Sequence, residues 1–156
     1  WKSGGPEWNI DNIHRIYTKV NPGSIRVDAD EVTYPAHIIL RYNIEMALIT
    51  DQISLNDIPS AWNENMQTLL GVTPLNHKNG CMQDIHWFDG AWGYFPSYTL
   101  GAMLAAQFFD VAIQTNPDIF SGIGQGDFSP LFQWLTANIY NYYFINIVKI
   151  FFKTYC

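Results

Sequence analysis

The sequence predicts an all-α protein. Apolar residues recur at intervals of three or four in several segments, which is the spacing of an amphipathic helix. Residues that favour helix ends, among them proline, glycine and aspartate, flank these segments. The alternation typical of a half-buried strand never continues beyond a few positions. With 156 residues, 48% of them hydrophobic, the chain is long and apolar enough for a packed core, which excludes a disordered segment.

The first predicted helix begins near Asp11, whose carboxylate is expected to cap it. The apolar residues that follow at helical spacing are Ile13, Ile16, Tyr17 and Val20. Residues 1–10 mix glycine, proline and tryptophan without periodicity, so they are predicted to be unstructured or a frayed start. Residues 21–24, with sequence Asn-Pro-Gly-Ser, predict a turn after this helix.

A second predicted helix follows Pro35 and is apolar on nearly all sides. A helix of this kind is typical of the interior of a larger body, so it is expected to be buried. Its polar exceptions are His37, Arg41, Asn43 and Glu45. Because buried polar groups need partners, this helix is expected to lie beside a polar interior.

The third predicted helix follows N-terminal signals over residues 54–57, with Pro59 in its first helical position and Gly71 as its stop. Residues 81–97 are dense in tryptophan and glycine and show no period. A helix is predicted again over 97–115, and Asn116-Pro117 ends it.

The last predicted helix begins with Ser129 as its cap and Pro130 in its first position, after a predicted loop over residues 121–127. The residues expected to face inward are Leu131, Trp134, Leu135 and Ile139. The tail over 140–156 carries no acidic residue and is atypical in composition. It is consistent with an amphipathic helix, an aggregation-prone β segment, or sequence that is not native to the fold.

Composition excludes several classes of function. The net charge of −6, from 14 acidic and 8 basic residues, argues against a nucleic-acid-binding surface. The apolar stretches are short or interrupted, so we expect no membrane span. Two cysteines, Cys81 and Cys156, do not form a disulfide framework, and a reducing compartment is expected. The chain opens with Trp1 rather than methionine and carries no signal peptide, so we interpret it as a fragment.

The sequence offers no conventional metal site. No two of its four histidines lie four residues apart, and Cys81 has no partner at the spacing of a zinc-binding cysteine pair. The glycines of residues 122–126 do not have the spacing of a phosphate-binding loop, and no Gly-x-Ser-x-Gly elbow is present.

Two clusters of residues could carry chemistry. The first is Ile25–Asp30, Ile-Arg-Val-Asp-Ala-Asp, in which Asp28 or Asp30 could simply cap a helix. Alternatively, nearby carboxylates could hold Arg26 and present it to an anion such as a peptide C-terminus. The residues themselves favour the capping interpretation.

The second cluster joins residues 80–87 to residues 93–98 and contains His86 followed by Tyr94 and Tyr98. Such side chains are suitable donors to a developing oxyanion. A buried aromatic cluster whose polar tips satisfy one another is an equally good interpretation.

At these positions the chain resembles the carboxypeptidase Taq metallopeptidases. Their signatures Ile/Val-Arg-x-x-Ala-Asp and Gly-x-x-Gln-Asp-x-His-Trp occur intact and in the same order, as Ile25–Asp30 and Gly80–Trp87. Residues 93–101 and 126–131 also match. The resemblance covers roughly residues 11–139, which would form the C-terminal part of a larger, zincin-like and mostly helical peptidase domain.

The resemblance implies a cytoplasmic, homodimeric, zinc- or cobalt-dependent exopeptidase that removes single residues from peptide C-termini. In this family the metal ligands lie in a His-Glu-x-x-His helix and a downstream glutamate, and both are missing from this sequence. The chain would therefore supply the substrate-binding half only, and we predict that it is inactive by itself. The alternative is a non-catalytic helical scaffold, or a degenerate homologue that acts as an interaction protein.

The resemblance also assigns roles to individual residues. Arg26 corresponds to the arginine thought to bind the terminal carboxylate of the substrate. His86 and Tyr98, twelve residues apart, resemble the transition-state-stabilising pair of related helical zinc peptidases such as thimet oligopeptidase, with Tyr94 as a weaker alternate. The supporting residues are Gln83, Asp84 and Asp30. Of these, Gln83 and Asp84 are expected to orient His86 through its other ring nitrogen.

Overall fold

The computed structural model describes residues 4–141, and regular secondary structure within that range is entirely helical. The helices are α1 (Ile10–Tyr17), α2 (Tyr34–Ile49), α3 (Ile58–Leu70), α4 (Pro96–Thr115), α5 (Asp118–Gln125) and α6 (Ser129–Leu135), the last continued by a π-helical segment over Thr136–Tyr140. The predicted all-α fold is confirmed. The chain divides into two compact units, Trp1–Leu100 and Gly101–Cys156, which the sequence did not predict. Most of the atypical tail, residues 142–156, lies outside the described residues.

The first helix is capped by Asn9, so the prediction of Asp11 as its cap is wrong. The backbone of Asn9 is extended, and its side chain accepts the N–H of Asn12 at 2.8 Å. Asp11 already lies inside the first turn, where its charge favours the helix N-terminus but its side chain cannot serve as the cap. Before it, Pro6–Trp8 form a short 3-10 helix within the stretch predicted to be unstructured.

The core of the first unit lies between α2 and α3. Its buried members are Leu40, Ile44, Trp62, Met66 and Leu70. A reciprocal capping box between Ser54 and Asp57 precedes α3, and Gly71 ends it at φ 70°. The predicted stop at Gly71 is confirmed, and the predicted start is off by one residue, because Ile58 and not Pro59 is the first helical residue.

Helix α2 places three of its four predicted polar side chains in the interior: His37, Arg41 and Glu45 are at most 2% exposed, whereas Asn43 is exposed. The prediction that α2 is buried on nearly all sides concerned a larger body and stays a prediction for that body, because within this chain one side of the helix is exposed. Its apolar residues Ile39, Tyr42, Met46 and Ile49 are 41–65% exposed. The buried polar residues are spaced by four and therefore lie on one face of the helix, which points inward. The apolar residues on the opposite face consequently point outward.

The second unit contains a helix where a loop was predicted. Residues 121–125 belong to α5, which buries Ile119 completely and ends at Gly126 with φ 81°. A Cβ atom on Gly122 would lie 2.7 Å from the carbonyl oxygen of Asp127. The glycine thus allows the chain to fold back against the helix. In the sequence, a glycine required for this close packing cannot be distinguished from one that indicates a loop.

Helix α6 begins one residue earlier than predicted. Ser129 is its first helical residue, and the carboxylate of Asp127 accepts the Ser129 N–H at 2.9 Å. The four residues predicted to face inward are confirmed as half-buried, and Pro130 is half-buried as well. Within residues 4–141, none of the helices combines the length and the hydropathy needed to cross a lipid bilayer.

Candidate active site

An ion pair between Arg26 and Asp84 joins the two sequence clusters. The guanidinium Nε and Nη2 atoms of Arg26 donate to Oδ1 of Asp84 at 2.9 and 2.6 Å. The backbone N–H of Arg26 donates to Gln83 Oε1 at 2.8 Å, and Gln83 Nε2 donates to the carbonyl of Ser24 at 2.9 Å. Segments almost sixty positions apart in sequence therefore form one site.

A second guanidinium shares the same carboxylate. Arg41 of α2 is fully buried and donates through Nε to the other oxygen of Asp84 at 2.7 Å. Its Nη1 donates to the backbone carbonyl of His37 at 2.7 Å. Two cations and one anion leave this triad with a formal charge of +1.

The triad controls the protonation of its members. Burial by itself would raise the pKa of the Asp84 carboxyl, but hydrogen bonds and charge from Arg26 and Arg41 outweigh burial and lower this pKa below its ordinary value. Burial lowers the pKa of Arg41 to about 10, partly opposed by Asp84, so Arg41 stays charged at neutral pH. For Arg26 burial also lowers the pKa, but the bonds to Asp84 and Tyr34 prevail and raise it.

The imidazole of His86 and the phenol of Tyr98 are hydrogen-bonded, with 2.9 Å between Nε2 and the hydroxyl oxygen. Tyr98 lies in the first turn of α4. The Arg26 guanidinium carbon is 5.2 Å from the centroid of the Tyr98 ring, and the Phe95 ring lies 4.4 Å from that of His86. The structure thus brings Arg26, His86 and Tyr98 into one cluster around Phe95.

Tyr94 lies at the edge of this cluster. Its ring centroid is 5.7 Å from that of His86, and the side chain is 51% exposed. Its hydroxyl makes no hydrogen bond to any part of the chain that the structure describes, so it has the freedom to turn toward a ligand.

The expected orientation of His86 by Gln83 and Asp84 is not found. Both oxygens of Asp84 accept from arginines, and the polar atoms of Gln83 are used by Arg26 and by backbone carbonyls. The other ring nitrogen of His86, Nδ1, is buried and lacks a hydrogen-bond partner among residues 4–141. Two cations attract the carboxylate more strongly than a neutral imidazole would, which explains the difference.

Asp30 organises the turn before α2 rather than the cluster. It accepts the backbone N–H groups of Asn21, Val32 and Thr33 at 2.8–3.0 Å. These bonds, that of Asn21 foremost, lower the pKa of the Asp30 carboxyl. The carboxylate that holds Arg26 is therefore the distant Asp84 and neither of the adjacent Asp28 and Asp30.

Sequence reasoning did not assign Tyr34, Arg41 or Glu45 to the site. The Tyr34 hydroxyl accepts Arg26 Nη1 at 2.8 Å. Glu45 accepts the indole N–H of Trp87 at 2.7 Å and the backbone N–H of Gly93 at 3.1 Å. The polar residues four apart on an otherwise apolar α2 were a signal that could have found Arg41 and Glu45.

The described residues do not form a metal site. Over residues 4–141, no three side chains of histidine, cysteine, aspartate or glutamate come together in a way that could hold a metal ion. Asp84, two positions before His86 in the sequence, has both oxygens committed to arginines.

Comparison with known proteins gives consistent matches along most of the chain. The sequence profile of the carboxypeptidase Taq (M32) metallopeptidases matches residues 3–146. Carboxypeptidase 1 of Bacillus subtilis (strain 168) is 43% identical over 132 residues, which are 85% of this chain and 26% of that protein. Thermostable carboxypeptidase 1 of Thermus thermophilus is 42% identical over the same shares.

Solved structures agree. Metallocarboxypeptidase 1 of Trypanosoma cruzi is 41% identical with a TM-score of 0.76, over 82% of this chain and 27% of that one. The chain thus spans about a quarter of the length of the relatives it matches. Since the profile match extends over nearly the whole sequence and includes both clusters of the site, the chain belongs to the carboxypeptidase Taq (M32) family of metallopeptidases.

Proposed function

We propose that this chain forms the substrate-binding half of a metal-dependent carboxypeptidase that removes single residues from peptide C-termini. The observation that carries the proposal is the cluster of Arg26, His86 and Tyr98, with a 2.9 Å bond between the imidazole and the phenol. A carboxypeptidase needs a cation for the terminal carboxylate and donors for the oxygen of the scissile carbonyl, and these residue types provide both.

Arg26 is the proposed site for the substrate carboxylate. Of its five guanidinium N–H groups, three are used by Asp84 and Tyr34. Two remain, and the triad keeps a formal charge of +1. Because Arg41 is completely buried whereas Arg26 is 7% exposed, an incoming carboxylate would reach the excess charge through Arg26.

Tyr98 is the proposed donor to the substrate carbonyl. If Nε2–H of His86 donates to the phenol oxygen, the phenol O–H remains free to donate to an oxyanion. His86 then polarises Tyr98 rather than contacting the substrate in the same step. Loss of one such donor typically costs roughly 10²–10³-fold in turnover. Tyr94, exposed beside His86, is a second candidate donor.

The metal, the oligomer and the compartment are further parts of the proposal. The proposed zinc or cobalt ion would be held by a His-Glu-x-x-His helix, a motif that the 156-residue sequence lacks. The intact enzyme is proposed to be a cytoplasmic homodimer, as expected from the family resemblance. The chain by itself is proposed to be inactive.

One observation favours the alternative of a non-catalytic scaffold. Within residues 4–141, the hydrogen bonds that Arg26 donates from its backbone and its guanidinium go to Gln83, Asp84 and Tyr34, as expected for an arginine that only joins two segments. The scaffold interpretation differs from the enzymatic one in a single respect: removing the guanidinium would then change stability but not substrate affinity.

A chimera tests the proposal. The matching 132-residue segment of Bacillus subtilis carboxypeptidase 1 is replaced by that of this chain. The chimera is expected to hydrolyse an N-blocked peptide with a free C-terminus and not its C-terminal amide. In it, Arg26→Ala should raise KM with little change in kcat, and Tyr98→Phe should lower kcat with little change in KM.

The isolated 156-residue chain serves as the negative control and should give no hydrolysis. A chimera that melts cooperatively but does not cleave the free peptide would contradict the proposal. So would unchanged kinetics in Arg26→Ala, which would support the scaffold alternative.

A further inference from the structure

Glu45 is a buried carboxylate that the proposed reaction does not use. It projects from α2, is 2% exposed, and forms no ion pair with any residue of the described range. Arg41, one turn earlier on the same helix, directs its guanidinium to Asp84 and to the carbonyl of His37. Burying a carboxylate without a cation is costly, so its hydrogen bonds must compensate.

Its two oxygens bind two different segments of the site. Oε1 accepts the indole N–H of Trp87 at 2.7 Å, and Trp87 directly follows His86. Oε2 accepts the backbone N–H of Gly93 at 3.1 Å, five positions before Tyr98. One carboxylate therefore holds the chain next to the imidazole and the chain that leads into the phenol-bearing turn of α4.

The segment between these two contacts forms turns rather than a helix, and the backbone N–H of Ala91 donates to the carbonyl of His86 at 2.8 Å. No backbone hydrogen bond of the described residues holds Gly93, so besides Glu45 the link from Trp87 to α4 depends mainly on aromatic packing. Trp87 stacks on Trp92 at 5.8 Å between ring centroids and meets Phe95 edge-on at 6.0 Å. Gly93 has φ 72°, a conformation that costs glycine little and other residues more. Ring contacts of this kind fix distances less sharply than two hydrogen bonds to a charged group.

We propose that Glu45 is a positioning residue that sets the separation of His86 from Tyr98. The inference rests on the proposed function, in which His86 and Tyr98 act together. It adds to that function the residue that keeps these two side chains at hydrogen-bonding distance. Glu45 touches neither of them: it acts through Trp87 and Gly93. A shift of about 1 Å between such partners can cost roughly 10²-fold in rate.

The central experiment does not require catalysis. Glu45→Gln keeps the shape but turns an amide N–H toward one of the two donors, so one contact is lost. Heteronuclear NMR of the 156-residue chain reports the His86 ring nitrogens and hence the bond to Tyr98. The bond signature is expected to weaken in Glu45→Gln and in Trp87→Phe, which deletes one donor and leaves the carboxylate in place.

Two controls separate positioning from general loosening. Glu64→Gln changes an exposed glutamate of α3 and should leave the His86 signals unchanged. Trp62→Phe loosens the core next to Trp87 and should lower stability while preserving the bond. An intact bond in both Glu45→Gln and Trp87→Phe would overturn the inference, as would equal loss in Trp62→Phe.

Kinetics in the chimera provide the second readout. Glu45→Gln should lower kcat by roughly tenfold and leave KM nearly unchanged, since Arg26 is untouched. Glu45→Asp, which keeps the charge, should restore part of kcat. If the chimera with Glu45 intact cleaves nothing, the proposed function fails, whereas the NMR result still decides the role of Glu45.

Discussion

The pH dependence of stability should be dominated by one buried histidine. His37 is fully buried, and neither ring nitrogen makes a hydrogen bond of normal geometry to the described residues. Burial, and then the charges of Arg41 and Arg26, lower the pKa of His37 from 6.5 to about 4. The backbone of Gly23 and the charge of Asp84 oppose this shift but are weaker.

The sign and size of the effect follow from these values. Well above pH 6.5 the imidazole is neutral in both states and contributes almost nothing to the pH dependence. Below it, the unfolded chain binds a proton that the folded chain does not, so stability is lost as the pH falls toward 4. Taking the pKa as 6.5 unfolded and about 4 folded, the loss is about 2 kcal/mol at pH 5 and about 3 kcal/mol below pH 4.

Urea denaturation of the 156-residue chain and of His37→Leu over pH 8 to pH 4 measures this loss. The difference between the two free energies of unfolding should be nearly constant above pH 7. As the pH falls further, this difference should shift in favour of His37→Leu by the amounts stated above. The contributions of other titrating groups are the same in both proteins and cancel in the difference. His77→Leu, at an exposed position, is the control for replacing a histidine by leucine outside the core. A pH-independent difference between His37→Leu and the unaltered chain would refute the reasoning.

Three further predictions concern stability and can be measured by urea or thermal denaturation at pH 7.5. Asp84→Asn leaves two buried guanidiniums without their shared anion and should cost about 3–5 kcal/mol, more than removal of an exposed carboxylate. Trp62→Ala empties a site that is 1% exposed and should cost about 3–5 kcal/mol, and a loss below 1 kcal/mol would mean that α2 and α3 do not pack as described. Gly122→Ala should cost about 1–3 kcal/mol because its Cβ would lie 2.7 Å from a backbone oxygen. Gly124→Ala, in the same helix with open space around it, should be neutral or stabilising by up to about 1 kcal/mol, and the opposite order of the two would contradict the fold-back at Asp127.

Local chemistry accounts for what was predicted correctly about the fold. The start and end of α3 follow, to within one residue, from a capping box and from one glycine in the left-handed conformation, which are features of a few adjacent residues. Three errors are shifts of one or two residues in local signals, namely the cap of α1 and the starts of α3 and α6. The larger errors concern interactions beyond a few positions. A glycine-rich stretch was predicted to be a loop and is α5, because Gly122 serves a close approach of the chain rather than flexibility.

The candidate site shows the same division. Motif residues identified Arg26, His86 and Tyr98 as members of one site, and the structure brings the three together. The partner of Asp84 was predicted incorrectly as His86. The spacing of residues in the sequence does not show whether an imidazole or a guanidinium will be nearest to a carboxylate after folding.

The sequence by itself determined the helical class, the family and the residue types that the proposed chemistry requires, because these are encoded in periodicity and in two short motifs. Only the tertiary structure decided which charges pair. Arg41 and Glu45 look alike in sequence, as polar residues on one face of α2, yet one neutralises Asp84 and the other joins Trp87 to Gly93. Which charged groups pair in a protein interior depends on which of them are buried next to each other. This is decided by the packing of segments distant in sequence and not by any local sequence pattern.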